Sequence, residues 1–233
     1  MYLRRAKDRG HPTHIDWLKA YHTFSFGSYF DPNHMGHGPL RVINDDVIAP
    51  GAGFATHGHK DMEIISYIID GGLQHKDSMG NGSVIKPGEI QIMSAGTGVR
   101  HSEFNANKHD PCHSLQMWVL PKEKGIEPAY EQKDFNDDLQ SGEFVLTVNP
   151  DGRDGSLVIN QDANLWVAHP EAGQEIELTP EFGQRVWVHM ATGQATVRGK
   201  NLRQGDGLGL SDLDHLVFSI EEDSRILVFD MNE

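Results

Sequence analysis

The chain has 233 residues, enough for one large domain or two modules of just over a hundred residues each, and at 37% hydrophobic and 23% charged it has the composition of a folding globular protein. Twenty Lys and Arg against 34 Asp and Glu give a net charge of −14, which opposes attraction to nucleic-acid phosphate and anionic lipid, so neither is expected as a direct partner. No apolar run approaches the roughly 18 residues of a membrane span, and no apolar stretch follows the basic start Met1-Tyr2-Leu3-Arg4-Arg5, so the expected location is the cytoplasm. Cys112 is the single cysteine. Intrachain disulfides and cysteine-based zinc clusters are therefore excluded, and any metal must rest on imidazole and carboxylate.

Short β-branched and aromatic runs bounded by Gly, Pro, Asn and Asp recur along the chain, whereas helical periodicity is hard to find. In the first half they predict strands over 40–48, 54–59, 63–70, 73–77, 89–94, 99–104 and 113–120. Turns at Asp70-Gly71-Gly72, Met79-Gly80-Asn81-Gly82 and Lys86-Pro87-Gly88 separate several of them. The polar stretch 121–142 reads as a connector with room for a short helix. Strands are then predicted over 157–161, 165–169, 185–191, 195–198, 207–210, 216–220 and 225–230. Each half repeats an order of apolar strand, Gly turn and Gly-acidic turn, through Gly71-Gly72 and Gly88-Glu89 in the first and Gly193 and Gly205-Asp206-Gly207 in the second. This order predicts an all-β chain of two tandem sandwiches or barrels, divided as 1–125, a connector 126–145, and 146–233.

The run Gly51-Ala52-Gly53-Phe54-Ala55-Thr56-His57-Gly58-His59-Lys60-Asp61-Met62-Glu63 carries the strongest chemical signal. Residues two apart on a strand face the same way, so His57 and His59 present both imidazoles to one side, with Glu63 in phase if the strand continues unbroken. The run Gly96-Thr97-Gly98-Val99-Arg100-His101-Ser102-Glu103 repeats the device with His101 and Glu103. Three imidazoles and one carboxylate facing one interior suit Fe, Ni, Cu or Zn and differ from the all-oxygen sites of Mg or Ca. Isolated histidines such as His11, His14, His75 and His169 read as surface or hydrogen-bonded core residues. His189 and His215 in the second half read likewise, because no His-x-His accompanies them. Cys112, in the turn His109-Asp110-Pro111-Cys112-His113, has no oxyanion-hole motif beside it and reads as structural.

The spacing Gly51, His57-x-His59, Glu63 follows the first motif of the cupin superfamily, and Gly98, His101, Asn105 follows part of the second. Gly71 falls one place late, and Gly96 stands where proline is usual. Within the cupins the chain resembles the pirin family. The residues that carry this are Trp17, His22-Thr23-Phe24-Ser25-Phe26-Gly27-Ser28-Tyr29-Phe30-Asp31-Pro32, Leu40-Arg41-Val42-Ile43-Asn44-Asp45-Asp46, His57-Gly58-His59-Lys60-Asp61-Met62-Glu63 and Met93-Ser94-Ala95-Gly96-Thr97-Gly98-Val99-Arg100-His101-Ser102-Glu103. They cover about residues 1–120. The remainder matches the family's layout by length and β pattern.

The resemblance implies a bicupin of two tandem double-stranded β-helix (jelly-roll) barrels, with metal only in the first. It implies His57, His59, His101 and Glu103 as ligands of one divalent transition metal, Fe(II) before Ni, Mn, Co, Cu or Zn. Parity leaves Glu63 and Glu103 level, so the choice of Glu103 rests on the resemblance, and Glu63 becomes a residue that orients a ligand imidazole. The segment 22–26 is expected beside the metal barrel. The implied activity is that of a quercetin 2,3-dioxygenase, in which dioxygen opens the heterocyclic ring of a flavonol or related phenolic substrate and carbon monoxide leaves, with Glu103 as ligand and base. The alternative is a metal-bearing, redox-sensitive regulatory protein that binds a protein partner.

Overall fold

The densest apolar runs become strands with the predicted bounds: Leu40–Ile48, Glu63–Asp70, Leu73–Asp77 and Glu89–Ser94. The structure, a computed structural model, describes residues 1–11 and 15–233. His14 lies outside the described residues. The strands that the sequence did not announce are short and half-polar, namely Tyr2–Arg4, Leu18–His22, Gly82–Ile85, Ala129–Asp134, Val145–Asn149, Glu175–Leu178 and Lys200–Arg203. Pairing recruits them more than hydrophobic alternation does.

Four predicted strands of the second half fuse into two, Arg185–Val197 and Leu216–Met231. Register shifts after Met190, Thr192 and Gln194 absorb the residues that read as turns, so the pair bends without separating. Gly193 sits at this bend with φ +79°, and a Cβ there would lie 2.3 Å from Ser224 Oγ and 2.4 Å from the Asp223 carbonyl. Only glycine fits.

The N-terminal unit is a six-stranded sheet packed on a four-stranded one. The first runs in the order Ala129–Asp134, Glu89–Ser94, Glu63–Asp70, Cys112–Val119, Leu40–Ile48, Leu18–His22, and the second in the order Gly53–His59, Val99–Asn105, Leu73–Asp77, Gly82–Ile85. Ile48 and Ile68 of the first meet Leu73, Ile85 and Phe54 of the second. A nine-stranded sheet forms the C-terminal unit, giving the expected all-β bicupin layout.

Two strand pairings run across the bounds of the predicted partition. Tyr2–Arg4 pairs with Gly207–Ser211 and so completes the C-terminal sheet. The segment 126–145, read as connector, supplies the edge strand Ala129–Asp134 to the N-terminal sheet before a single helical turn, Asn136–Leu139.

The six-stranded sheet is buried on both faces, which explains its uninterrupted apolar runs. One face carries Ile43, Ile65, Tyr67, Leu115 and Met117 into a core shared with Val148, Leu165, Val167, Trp187, Leu227 and Phe229 of the C-terminal unit. Each such side chain contributes about 1.5–3 kcal/mol by leaving water, so the two units share one core. The opposite face carries the residues alternate to these. His22, Asn44, Gln116, Ser66 and Gln91 are successive cross-strand partners and form a polar row over the N-terminal interior.

Candidate metal centre

Gly53–His59 pairs antiparallel with Val99–Asn105, and His57 stands directly opposite His101. Close approach of the two strands depends on Gly53, where a Cβ would lie 2.2 Å from the Glu103 carbonyl. A register shift between Phe54 and His57 then sets the phase that brings the imidazoles inward. The Nε2 atoms of His57 and His101 are 3.0 Å apart, and the rings of His57, His59 and His101 lie with centroids 4.5–4.8 Å from one another. One nitrogen from each falls within 4.8 Å of the others. Nδ1–H of His57 donates to the Ala55 carbonyl at 2.9 Å, which leaves Nε2 as its free lone pair toward the cluster.

Glu103 follows His101 on the same face, its Oε2 3.9 Å from His101 Nε2. Both Glu103 oxygens accept hydrogen bonds from Gln116 Nε2, at 3.0 and 2.8 Å, while Gln116 Oε1 accepts one from Trp118 Nε1 at 3.0 Å. This chain of donors fixes the carboxylate plane. Burial pushes Glu103 up to about 7 against the opposing effect of Gln116. Burial, then repulsion from neighbouring imidazoles, pushes His59 down to about 4 and His101 to about 3. Neutral imidazole is the form that ligates, and a cation between them would favour the ionised carboxylate.

The donor set fits a divalent transition metal. Among the described residues His59 Nε2 is buried without a hydrogen-bond partner in a cluster of three imidazoles, where a metal would satisfy it. The three imidazoles named from the sequence are thus brought together, with Glu103 beside His101.

Glu63 is not with them. The strand that carries His57 and His59 ends before Lys60-Asp61-Met62, Asp61 takes φ +49°, and Glu63 opens a strand of the other sheet. Its Oε2 accepts from Ser94 Oγ at 2.7 Å and from the Asn160 amide at 3.2 Å. It therefore ties the N-terminal sheet to the C-terminal half and orients no imidazole.

His75 is a core histidine, as expected, donating from Nε2 to Asp77 Oδ2 at 3.2 Å. Its ring nevertheless packs 5.2 Å from that of His101, and His75, His101 and Glu103 form a second cluster of donors within 4.8 Å. Sequence reasoning missed Gln116 and Trp118, whose only signal was their alternation with Leu115 and Met117.

Beside the cluster lies a cavity of about 720 Å³. Trp17, Leu18, Phe26, Phe54 and Trp118 supply apolar wall, and His57, His59, Glu103 and Gln116 reach it from one side. The segment 22–26 is where it was expected: His22 and Phe26 line the cavity, with Phe26 edge-on to Trp118 at 5.2 Å. Cys112 is buried and its thiol is pushed up to about 11 by burial, the state of an inert core cysteine. In the C-terminal unit His189 is fully buried, while His215 is exposed beside Glu177 at 3.5 Å. Among the described residues, both clusters of metal-capable donors lie in the N-terminal unit.

The Pirin family model matches residues 3–119, and that of the quercetinase C-terminal cupin domain matches 146–231. The chain is 46% identical to the quercetin 2,3-dioxygenase of Escherichia coli strain K12 over 99% of its own length and 98% of that protein's. It is similar to the crystal structure of YhhW from Escherichia coli, with a TM-score of 0.93 at 44% identity over 99% of this chain and 97% of that one. A structure of the bacterial pirin YhhW in complex with nickel(II) matches with a TM-score of 0.91 at 44% identity, over 99% and 98% of the two chains. Together with the donor cluster, these relatives indicate a divalent metal in the N-terminal unit. The chain belongs to the pirin family.

Proposed function

We propose that this protein is a flavonol 2,3-dioxygenase in which His57, His59, His101 and Glu103 hold one divalent transition metal, with Fe(II) as the working ion. Both atoms of dioxygen enter the product as the heterocyclic ring opens to an ester, and one ring carbon leaves as carbon monoxide, so no external reductant is needed. The metal supplies Lewis acidity and electronic access to dioxygen. The remaining work falls to the chain's own side chains. Glu103 accepts the proton of the flavonol 3-hydroxyl at a carboxylate oxygen, and Gln116, anchored by Trp118, holds that carboxylate in place. Trp17, Phe26, Phe54 and Trp118 clasp the aromatic substrate and exclude water.

The observation that carries this reading is the carboxylate gripped at both oxygens by Gln116, at the edge of an apolar cavity and beside three converging imidazoles. Its test is oxygen uptake and carbon monoxide release by iron-loaded protein given quercetin, with no partner present and rates normalised to bound metal. Glu103→Gln should lower turnover per metal by about 10²–10⁴-fold, the usual worth of general-base assistance. Absence of flavonol-dependent uptake above free iron would overturn the reading and favour a metal-bearing regulatory protein.

A further inference from the structure

The adjacent residues Asp45 and Asp46 meet opposite fates on one strand. Asp45 points to the interface between the units, where Arg9 Nη1 lies 2.8 Å from Oδ2 and His113 Nε2 2.6 Å from Oδ1. Asp46 points the other way and lines the cavity. Its residue is only 6% exposed, and its Oδ1 is buried with no hydrogen-bond partner among the described residues. Its cross-strand neighbours are Ala20, which has nothing to offer, and Ser114. A carboxyl left this way, on a stretch of wall that also carries Trp17, Leu18 and Ala20, is unfavourable unless something in the cavity bonds to it.

A second polar pair stands next to it. His22 and Asn44 are cross-strand partners on the same face, both buried, and both line the cavity. Nδ1 of His22 lies 2.6 Å from Asn44 Oδ1. An amide oxygen can only accept, so Nδ1 carries the proton and Nε2 of the neutral ring is an acceptor. Burial lowers the His22 pKa and so favours this neutral form.

We propose that His22, Asn44 and Asp46 form a hydroxyl-reading subsite, which selects polyhydroxylated flavonoids by hydrogen bonding a phenolic hydroxyl other than the one that faces Glu103. The proposal rests on the flavonol reading above and adds to it the feature of the substrate that the cavity recognises. Burial, then the charges of Asp45 and Glu103, push the Asp46 carboxyl up to about 8. A neutral acid both donates and accepts, as a phenol does, so the two are complementary without any change of charge on binding.

Binding can be read without turnover. Zinc-loaded protein under exclusion of oxygen is titrated with quercetin and with 3-hydroxyflavone, which keeps the 3-hydroxy-4-oxo group and lacks the other hydroxyls. The quenching of Trp17 and Trp118, both in the cavity wall, reports occupancy. Wild-type protein should bind quercetin about tenfold or more tightly than 3-hydroxyflavone, the scale of one or two well-made hydrogen bonds. Asp46→Leu should erase most of that ratio while leaving 3-hydroxyflavone affinity within about twofold. Asp46→Asn, whose amide also donates and accepts, should retain it. Should leucine impair folding or zinc content, Asn44→Ala reads the same ratio and should lower it.

Equal weakening of both ligands in Asp46→Leu, or an unchanged ratio, would overturn the subsite while leaving the flavonol reading intact. Failure of the zinc-loaded wild type to bind either ligand would overturn both.

Discussion

The N-terminal interior holds imidazoles, a carboxylate and a cavity, whereas the C-terminal interior is filled by Val186, Val188, Met190, Leu208, Leu210, Phe218, Ile226 and Val228. Both units are built of antiparallel strands with the same kind of turns, so the difference lies in which residues occupy the inward parity. In the strand Arg185–Val197, the even positions Val186, Val188 and Met190 fill the interior. The one buried histidine of that strand, His189, has the opposite parity. The comparison teaches how a β unit can keep a polar hollow. The six-stranded sheet draws its stabilisation from the face packed on the C-terminal unit, which leaves its other face free for His22, Asn44, Gln116 and the cavity.

The strongest way to break this division is to count metal. Wild-type protein should carry close to one divalent ion per chain by elemental analysis, and His57→Ala combined with His101→Ala should carry close to none, since too few donors would remain to replace the ion's water. A value near two, or retention in the double variant, would place a site in the filled unit.

The two buried glutamates sharpen the comparison next. Glu103→Ala should weaken metal affinity by more than the roughly 10–100-fold seen when a residue merely supports a ligand is removed. Glu63→Ala should leave metal affinity near wild type and lower the denaturant midpoint instead, by about 1–3 kcal/mol in stability, because Ser94 and the Asn160 amide lose their acceptor. The opposite ranking would return Glu63 to the metal.

Gln116→Leu removes the grip on Glu103 and keeps much of the volume. A loss of about 10–100-fold in metal affinity or activity is expected, measured by competition with a chelator. An unchanged affinity and rate would show that the carboxylate needs no such support.

The smallest effect concerns the seam between the units. Burial alone would raise the Asp45 pKa, but the hydrogen bond from His113 and the charge of Arg9 outweigh it and hold the carboxyl down to about 2. A pKa lower in the folded than in the unfolded state gives stability that is present above the unfolded value and lost as pH falls through the folded one. The loss should fall between about pH 4 and pH 2 and amount to roughly 2 kcal/mol. Asp45→Asn should flatten that part of the stability-against-pH curve in urea titrations. An identical acid limb in the variant would assign the loss to other carboxylates.

Local information made much of the fold and of the candidate site legible. Leu40–Ile48 and Glu63–Asp70 were readable because an apolar, β-branched run between turn residues has few other ways to fold. That His57 and His59 share one face, and His101 and Glu103 another, was readable because a spacing of two on a strand fixes a shared face. The polar strands 18–22, 82–85 and 129–134 were not, since what makes them strands is a partner elsewhere in the chain.

The sequence by itself therefore determined the all-β character, the two same-face pairs of candidate donors and the family. Each of these depends on residues close together in the chain, or on a motif preserved along it. Parity left Glu63 and Glu103 level, and tertiary structure separates them, because one turn at Lys60-Asp61-Met62 moves Glu63 to another sheet. It alone brought Gln116 to Glu103, sent Tyr2–Arg4 to the far unit, and gave Asp45 its partners while leaving Asp46 facing the cavity. Parity says that two adjacent side chains face opposite ways. What waits on each side is set by strands that are distant in sequence, and no local pattern encodes it.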